Sequence, residues 1–205
     1  MNAQLDATKG QLTMAQAQLE RANAVIQFST QYKVSADIAG SIYDVALAEG
    51  IEPDLGFRLV RVESEFHDHA TSPVGALGLT QVMPATAKDS VPGITHEQLY
   101  DRNTNLKIGF RYLRGLIRSY HGDVKLALLV YNRGPVAVES LRALALDQRN
   151  GYERAVTRGY TGKGTVAGPD RRAHVETRTR RHSAGQPLDL IPRAPVQARD
   201  GSGHI

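Results

Sequence analysis

The sequence contains no cysteine. That excludes a disulfide scaffold, a thiolate zinc site, an iron–sulfur cluster and a cysteine nucleophile, and it leaves the chain tolerant of an oxidising compartment. No stretch approaches the roughly 18 apolar residues that a membrane-spanning helix needs. Met1 to Glu20 is rich in Gln and Ala and carries no apolar h-region, so no conventional export signal is visible and export would need a missing or unusual one. Aromatic residues stop at Tyr160. Basic excess is also absent from most of the chain: Met1 to Gly159 holds 17 Lys/Arg against 17 Asp/Glu, whereas Tyr160 to Ile205 holds 8 against 4. The net charge of +4 therefore belongs to the tail and says nothing about the ligand of the rest.

What remains, 205 residues with 41% hydrophobic content, suits one domain of ordinary size with extensions. Three regions are expected. Residues 1–31 carry Leu5, Leu12, Leu19 and Ile26 at seven-residue spacing, with Thr8, Ala15 and Ala22 three positions after the first three. Such a heptad-like helix reads either as a weak coiled-coil seam for self-association or as an amphipathic helix packed on its own domain. Residues 160–205 are dominated by Gly, Pro and Arg and are expected to form a disordered basic arm.

The middle region, 32–159, has helical periodicity almost throughout. A helix is expected over Ser35 to Ala48, stopped by Gly50, and another from Pro53 to about Ser64–Phe66. Thr71 to Gly78 is too irregular for a helix, and Leu79 to Met83 is the sole strand candidate. Helices resume after Asn103, after the N-cap residue Asp123, at Pro135 and over Tyr152 to Arg158. The expected class is mainly α.

Few constellations in this region could carry chemistry. His67-Asp68-His69 has ligand-like spacing, but no HExxH accompanies it, and it reads as a solvated loop pair. Gly75-Ala76-Leu77-Gly78 lacks the Lys-Ser/Thr of a phosphate cradle. The arginines of the tail lack interleaved aromatics, so no specific nucleic-acid recognition is expected. Glu63 differs: it sits in the last turn of a helix, behind the apolar Leu59, Val60 and Val62 and ahead of a loop of small residues. A carboxyl between an apolar face and a tight loop is a candidate for the raised pKa of a general acid.

The residues after Glu63 sharpen this. Glu63-Ser64 is followed by Ser72-Pro73-Val74-Gly75-Ala76-Leu77-Gly78-Leu79-Thr80-Gln81-Val82-Met83-Pro84, then Tyr100-Asp101-Arg102-Asn103-Thr104-Asn105-Leu106, then Tyr131-Asn132-Arg133-Gly134-Pro135. This ordered set, from about Leu55 to Pro135, resembles the SLT-type lytic transglycosylases, which have a goose-type lysozyme-like fold. The resemblance implies a peptidoglycan lytic transglycosylase. It would cleave the β-1,4 bond between N-acetylmuramic acid and N-acetylglucosamine and leave 1,6-anhydro ends.

By position, the resemblance makes Glu63 the single acid/base, with the substrate's N-acetyl group replacing the second carboxylate of most glycosidases. Glu65 would point to another helix face, while Asp68 and Asp101 stay open as second carboxylates. Ser72 and Gln81 match polar residues of the glycan groove, Met83 an apolar wall, and Tyr131 an aromatic whose hydroxyl lies near the catalytic carboxyl. Asn132 shares that motif. Tyr152, in Gly151-Tyr152-Glu153-Arg154-Ala155-Val156, is the preferred counterpart of a later Glu-Thr-x-x-Tyr-Val block, which Glu176-Thr177-Arg178 also copies in part. The sequence departs from the commonest pattern at Thr80, where Met is usual, and at Val130 and Arg133, where Ala is usual; these are expected to alter the cleft wall.

The resemblance implies no cofactor and no metal, peptidoglycan glycan strands as partner, and a cell-envelope location, periplasmic or extracellular. The basic arm would contact anionic surfaces. A hydrolytic muramidase on the same site and a noncatalytic peptidoglycan-binding module remain the alternatives.

Overall fold

The computed structural model describes residues 2–166 of the chain, and all statements of structure refer to these. Helix α1 spans Asn2–Tyr32, α2 Ala36–Glu49, α3 Pro53–Ser64, α4 Pro84–Ser90, α5 Arg102–Ser119, α6 Val124–Arg133, α7 Pro135–Ala143 and α8 Tyr152–Thr157, with a single 3-10 turn at Glu97–Leu99. Backbone bridging among the described residues is limited to the isolated pairs Ile51–Thr165, Thr71–Leu77 and Leu77–Val82. The mainly α class expected from periodicity is the class observed.

Local chemistry sets most of the boundaries. The Ser35 hydroxyl accepts from the Ile38 amide at the start of α2, and Gly50, left-handed at φ 73°, closes it by donating to the Ala46 and Leu47 carbonyls. Pro53 and Pro135 open α3 and α7, where a missing N–H leaves no hydrogen bond unmade. Asp101 and Asp123 cap α5 and α6 by accepting from Thr104 and Leu126.

The main core gathers Ile42, Leu55, Phe57, Leu59, Leu79, Leu106, Phe110, Leu113, Leu128 and Tyr131, all nearly or fully buried. Helix α2 packs against α1, α3 and α5, and α8 lies across α3 and α6. Only the C-terminal end of α1 joins this core. Val25 is buried, Phe28 stacks on Phe57 with centroids 4.2 Å apart, and Tyr32 packs against Phe57 and Phe66. Leu5, Leu12, Leu19 and Ile26 stay exposed, so the reading of that seam as a face packed on its own domain is not what this structure has.

Three further expectations give way. Leu79 to Met83 is not a strand: residues 78–81 form a turn that closes the Leu77–Val82 bridge, with Gly78 at φ 73° and Gln81 at φ 46°. Helix α4 was not foreseen, because seven residues that bury only Thr86 and Ala87 leave no period to read. The folded part also runs past the expected boundary at 159. Tyr160 to Val166 straps back over the start of α3: Glu52 donates its amide to Gly164 O, and Val166 donates its amide to Gly50 O. Both Glu52 oxygens are engaged there, by the Tyr160 hydroxyl and the Lys163 amide. Burial, reinforced by Glu52, pushes the Tyr160 phenol well above its usual pKa, so it remains a donor. The rest of the expected basic arm lies outside the described residues.

Candidate active site

Helix α3 ends abruptly because two consecutive residues, Glu65 at φ 50° and Phe66 at φ 66°, adopt the left-handed conformation. Phe66 is anchored by its contacts with Tyr32 and Phe57, an apolar gain that offsets the strained backbone. The turn leaves Glu63 as the penultimate residue of the helix, 9% exposed. Its Oε1 accepts a hydrogen bond of 2.5 Å from the hydroxyl of Tyr152, the first residue of α8 and itself 4% exposed. Thus two residues 89 positions apart in sequence meet in a buried carboxyl–phenol pair.

Tyr152 is aimed by a short relay. Asn150 accepts from the Tyr152 amide and donates its own Nδ2 to Oδ1 of Asn132, at 2.8 Å. Asn132 is 1% exposed at the end of α6, so α8 is pinned to α6 just where Tyr152 projects. Asn150 was missed by sequence reasoning; its only sequence signal is an amide before a glycine that takes φ 83°.

The segment from Ala70 to Val82 folds into a compact double turn. Leu77 and Val82 exchange both backbone hydrogen bonds, and the Ala70 carbonyl accepts from the Gly78 amide. Two expected glycan contacts take part in this closure. The Ser72 hydroxyl accepts from the Ala76 amide, and the Gln81 Nε2 donates to the carbonyls of Ala70 and Gly78. Met83 is half-buried at the start of α4 and outside the buried clusters.

Beneath the double turn lies a polar hub that the sequence did not reveal. Asn105, 1% exposed on α5, accepts from the Thr80 amide and hydroxyl and donates to the Leu77 and Leu99 carbonyls. Thr80 in turn presents its carbonyl to the Tyr131 hydroxyl at 2.8 Å, which ties α6 to the turn next to Gln81. Thr80 and Val130 are both fully buried, so neither forms a cleft wall as expected. At Thr80 the reason is contact: Gly109 faces it so closely that a Cβ there would stand 2.2 Å from its Oγ1. A compact hydroxyl residue with a hydrogen-bonding partner fits that space.

The other acidic residues near Glu63 in sequence have structural posts. Asp68 pairs with Arg102 through both oxygens, and the same guanidinium also meets Asp37. Asp101 caps α5, and hydrogen bonds from Thr104 hold its carboxyl below the usual range. Glu65 is exposed beyond the helix end rather than on its opposite face. His67 holds the Ser64 carbonyl through Nδ1, and the His69 ring lies 5.2 Å from that of Tyr100. Two surface hollows of about 390 and 420 Å³ lie elsewhere; neither is lined by Glu63 or by any residue expected at the site.

The arrangement offers a buried carboxyl oriented by a phenol. It can deliver and recover a proton.

Comparison with known proteins identifies the family. A family model described as the transglycosylase SLT domain matches residues 41–151. The soluble lytic murein transglycosylase of Escherichia coli K12 is 31% identical over 150 residues, covering 61% of this chain and 23% of that protein. The transglycosylase of enterobacteria phage PRD1 is 43% identical over 84 residues, covering 41% of this chain and 30% of that protein. The crystal structure of the 70 kDa soluble lytic transglycosylase from Escherichia coli aligns with a TM-score of 0.48 at 26% identity, over 69% of this chain and 28% of that one. The chain therefore spans 23 to 30% of the length of these proteins.

Proposed function

The chain belongs to the transglycosylase SLT family, and on that premise we propose that it cleaves peptidoglycan glycan strands as a lytic transglycosylase, with Glu63 as its single acid/base. The observation that carries this reading is the Glu63–Tyr152 pair. A phenol donating to Oε1 fixes the carboxyl plane and disfavours protonation of that oxygen, which directs the transferable proton to Oε2. Burial of both groups keeps bulk water from competing for it.

In the reaction proposed, the substrate is the β-1,4 bond between N-acetylmuramic acid and N-acetylglucosamine. Glu63 gives its proton to the bridging oxygen as the bond to the anomeric carbon of N-acetylmuramic acid breaks. The N-acetyl oxygen of the same sugar supplies electrons to that carbon. The Glu63 carboxylate then takes the proton of the 6-hydroxyl as its oxygen closes on the anomeric carbon and the N-acetyl oxygen leaves it with its electron pair, giving the 1,6-anhydro end and restoring the acetamido group. Glu63 finishes protonated and no water is consumed. The posts held by Asp68, Asp101 and Glu65 support a mechanism with one carboxylate.

Ser72, Gln81 and Met83 would border the bound glycan, and Tyr131, Asn132 and Tyr152 would fix the geometry around Glu63. Their hydrogen bonds within the fold favour a pre-formed groove, in which backbone groups of the double turn meet the sugar. The site of action would be the cell envelope. The basic segment after residue 166 would add attraction to anionic wall polymers or headgroups.

The test is mass spectrometry of the fragments released from purified peptidoglycan by the wild type and by Glu63→Gln. Fragments one water lighter than hydrolysed ones, lost by a factor of about 10²–10⁴ in the variant, are expected. Reducing ends would replace the proposal by a muramidase. Binding without any release would replace it by a noncatalytic wall-binding module.

A further inference from the structure

Helix α1 is held by its own domain through one stripe, Val25, Phe28 and Tyr32. Its heptad residues lie off that stripe: Leu5, Leu12, Leu19 and Ile26 are 55, 59, 62 and 62% exposed. Every residue from 4 to 23 is exposed, and short of Arg21, whose side chain reaches Asp44 on α2, residues 4–20, about 25 Å at 1.5 Å per residue, project from the body. Most helical stability in proteins comes from tertiary packing, which this stretch lacks, and Gly10 weakens it further.

We propose that the projecting part of α1 is a coiled-coil arm whose partner is a second copy of this chain. The repeat is the first reason. A straight helix laid on a globular surface follows a period of 3.6 and drifts about 20° per heptad from a seven-residue repeat. Four large aliphatic residues at spacing seven stay aligned only when two helices wind around each other. The small residues Thr8, Ala15 and Ala22 at the alternate seam position let the two backbones approach closely.

The flanks of the seam are the second reason. With the leucines at position a, one flank reads Gln4, Gln11, Gln18 and the other Lys9, Gln16, Asn23. These are nearly all neutral amides, so a second copy meets no row of like charge in either direction. A strongly acidic or basic partner would find nothing to complement it. The nearby charge of Arg21 is already engaged, through two hydrogen bonds to Asp44.

Sedimentation equilibrium of the full chain decides the matter, over about 5 to 200 µM, a range that brackets a weak dimer. The wild-type mass is expected to rise from 22.4 kDa toward twice that value. The double variant Leu12→Lys, Leu19→Lys should stay at the monomer mass, with its dissociation constant raised at least about 100-fold. Near-ultraviolet dichroism and the unfolding midpoint of the variant, set by a core that neither residue touches, should match the wild type at concentrations low enough for both to be monomeric. A wild type that remains monomeric throughout, its seam then serving another partner, overturns the proposal. So does a variant that dimerises as readily as the wild type. The measurement does not depend on catalysis, so its failure is separate from that of the proposed reaction.

Discussion

Replacing Asn105 tests the reasoning about the site most directly, because one buried amide organises three segments. Asn105→Ala removes the acceptor of the Thr80 amide, which is fully buried, and the donor to the Leu77 and Leu99 carbonyls. The Thr80 hydroxyl keeps a second acceptor, the Asn105 carbonyl, and the Leu77 carbonyl still accepts from Val82. One donor is therefore orphaned and two carbonyls lose a partner. An orphaned buried group costs about 1–3 kcal/mol, so a total of about 2–5 kcal/mol is expected. Against a typical stability of about 5–15 kcal/mol that is large, and urea unfolding resolves it easily.

The shape-matched variant Asn105→Asp separates hydrogen bonding from packing. It keeps the acceptor for Thr80 but sets a carboxylate oxygen against the Leu77 and Leu99 carbonyls, at the 2.8 Å where an amide nitrogen stood. Burial and those carbonyls both disfavour the charged form, so the new acid's pKa is raised in the folded state above its unfolded value of about 3.9. The penalty is then small below that value and grows as pH rises through the interval up to the folded pKa. Stability relative to wild type should fall from acid to neutral pH for Asn105→Asp and stay flat for Asn105→Ala. A loss under about 1 kcal/mol for the alanine variant would refute the hub. Parallel pH profiles for wild type and Asn105→Asp would refute it equally.

Other outcomes follow from single contacts. Gly109→Ala would place a Cβ 2.2 Å from Thr80 Oγ1, an overlap costing about 1–3 kcal/mol that outweighs the gain of up to about 1 kcal/mol in helix propensity; Gly115→Ala, on the same helix with nothing within 4 Å, should show only the gain, both read from unfolding midpoints. Glu153 is 3% exposed and its Oε2 has no hydrogen-bond partner, so Glu153→Val is expected to stabilise by about 1–2 kcal/mol, with the thermal midpoint rising by about 2–4 °C per kcal/mol. Two phenols hold carboxylates at opposite ends of α3 and should separate by assay. Tyr152→Phe removes the donor to Glu63 and should slow release of peptidoglycan fragments about 10- to 100-fold with little change in fold. Tyr160→Phe frees the Gly164 amide and loosens the strap, lowering stability by about 1–3 kcal/mol while leaving the rate at low temperature unchanged.

Much of the fold was legible because its punctuation is local. Ser35, Pro53, Asp123, Pro135 and Gly50 act on residues within one helical turn, so their positions alone mark helix ends. The strap was illegible for the opposite reason. Tyr160 to Val166 is Gly-bearing and nearly without apolar residues, and it is ordered by Glu52, more than a hundred residues away. No local pattern encodes that partner. The exposed heptad was visible as a repeat, yet only the position of Val25, Phe28 and Tyr32 against Phe57 and Phe66 decides which stripe of α1 faces the body.

The site divides the same way, and the division explains how a loop of short polar residues can be rigid. Residue type alone made Glu63 only a candidate and the family resemblance singled it out, while Tyr152 came from a blurred block whose other half-match, Glu176-Thr177-Arg178, lies outside the described residues. What type could not reveal is where polar atoms are spent. Ser72 and Gln81 look in sequence like groups awaiting a ligand, yet their side chains close backbone turns. A loop with left-handed residues at Gly75, Gly78 and Gln81 pairs part of its backbone within its own turns, and side chains of the same segment satisfy further groups, the Ala76 amide and the Ala70 and Gly78 carbonyls. Once they do, the Thr80 carbonyl is fixed for Tyr131, Asn105 is fixed beneath it, and the loop cannot move without breaking several buried contacts together. In the proposed reaction, where one carboxyl gives and then recovers a proton, such a frame would spare the reorganisation free energy that a mobile site has to supply.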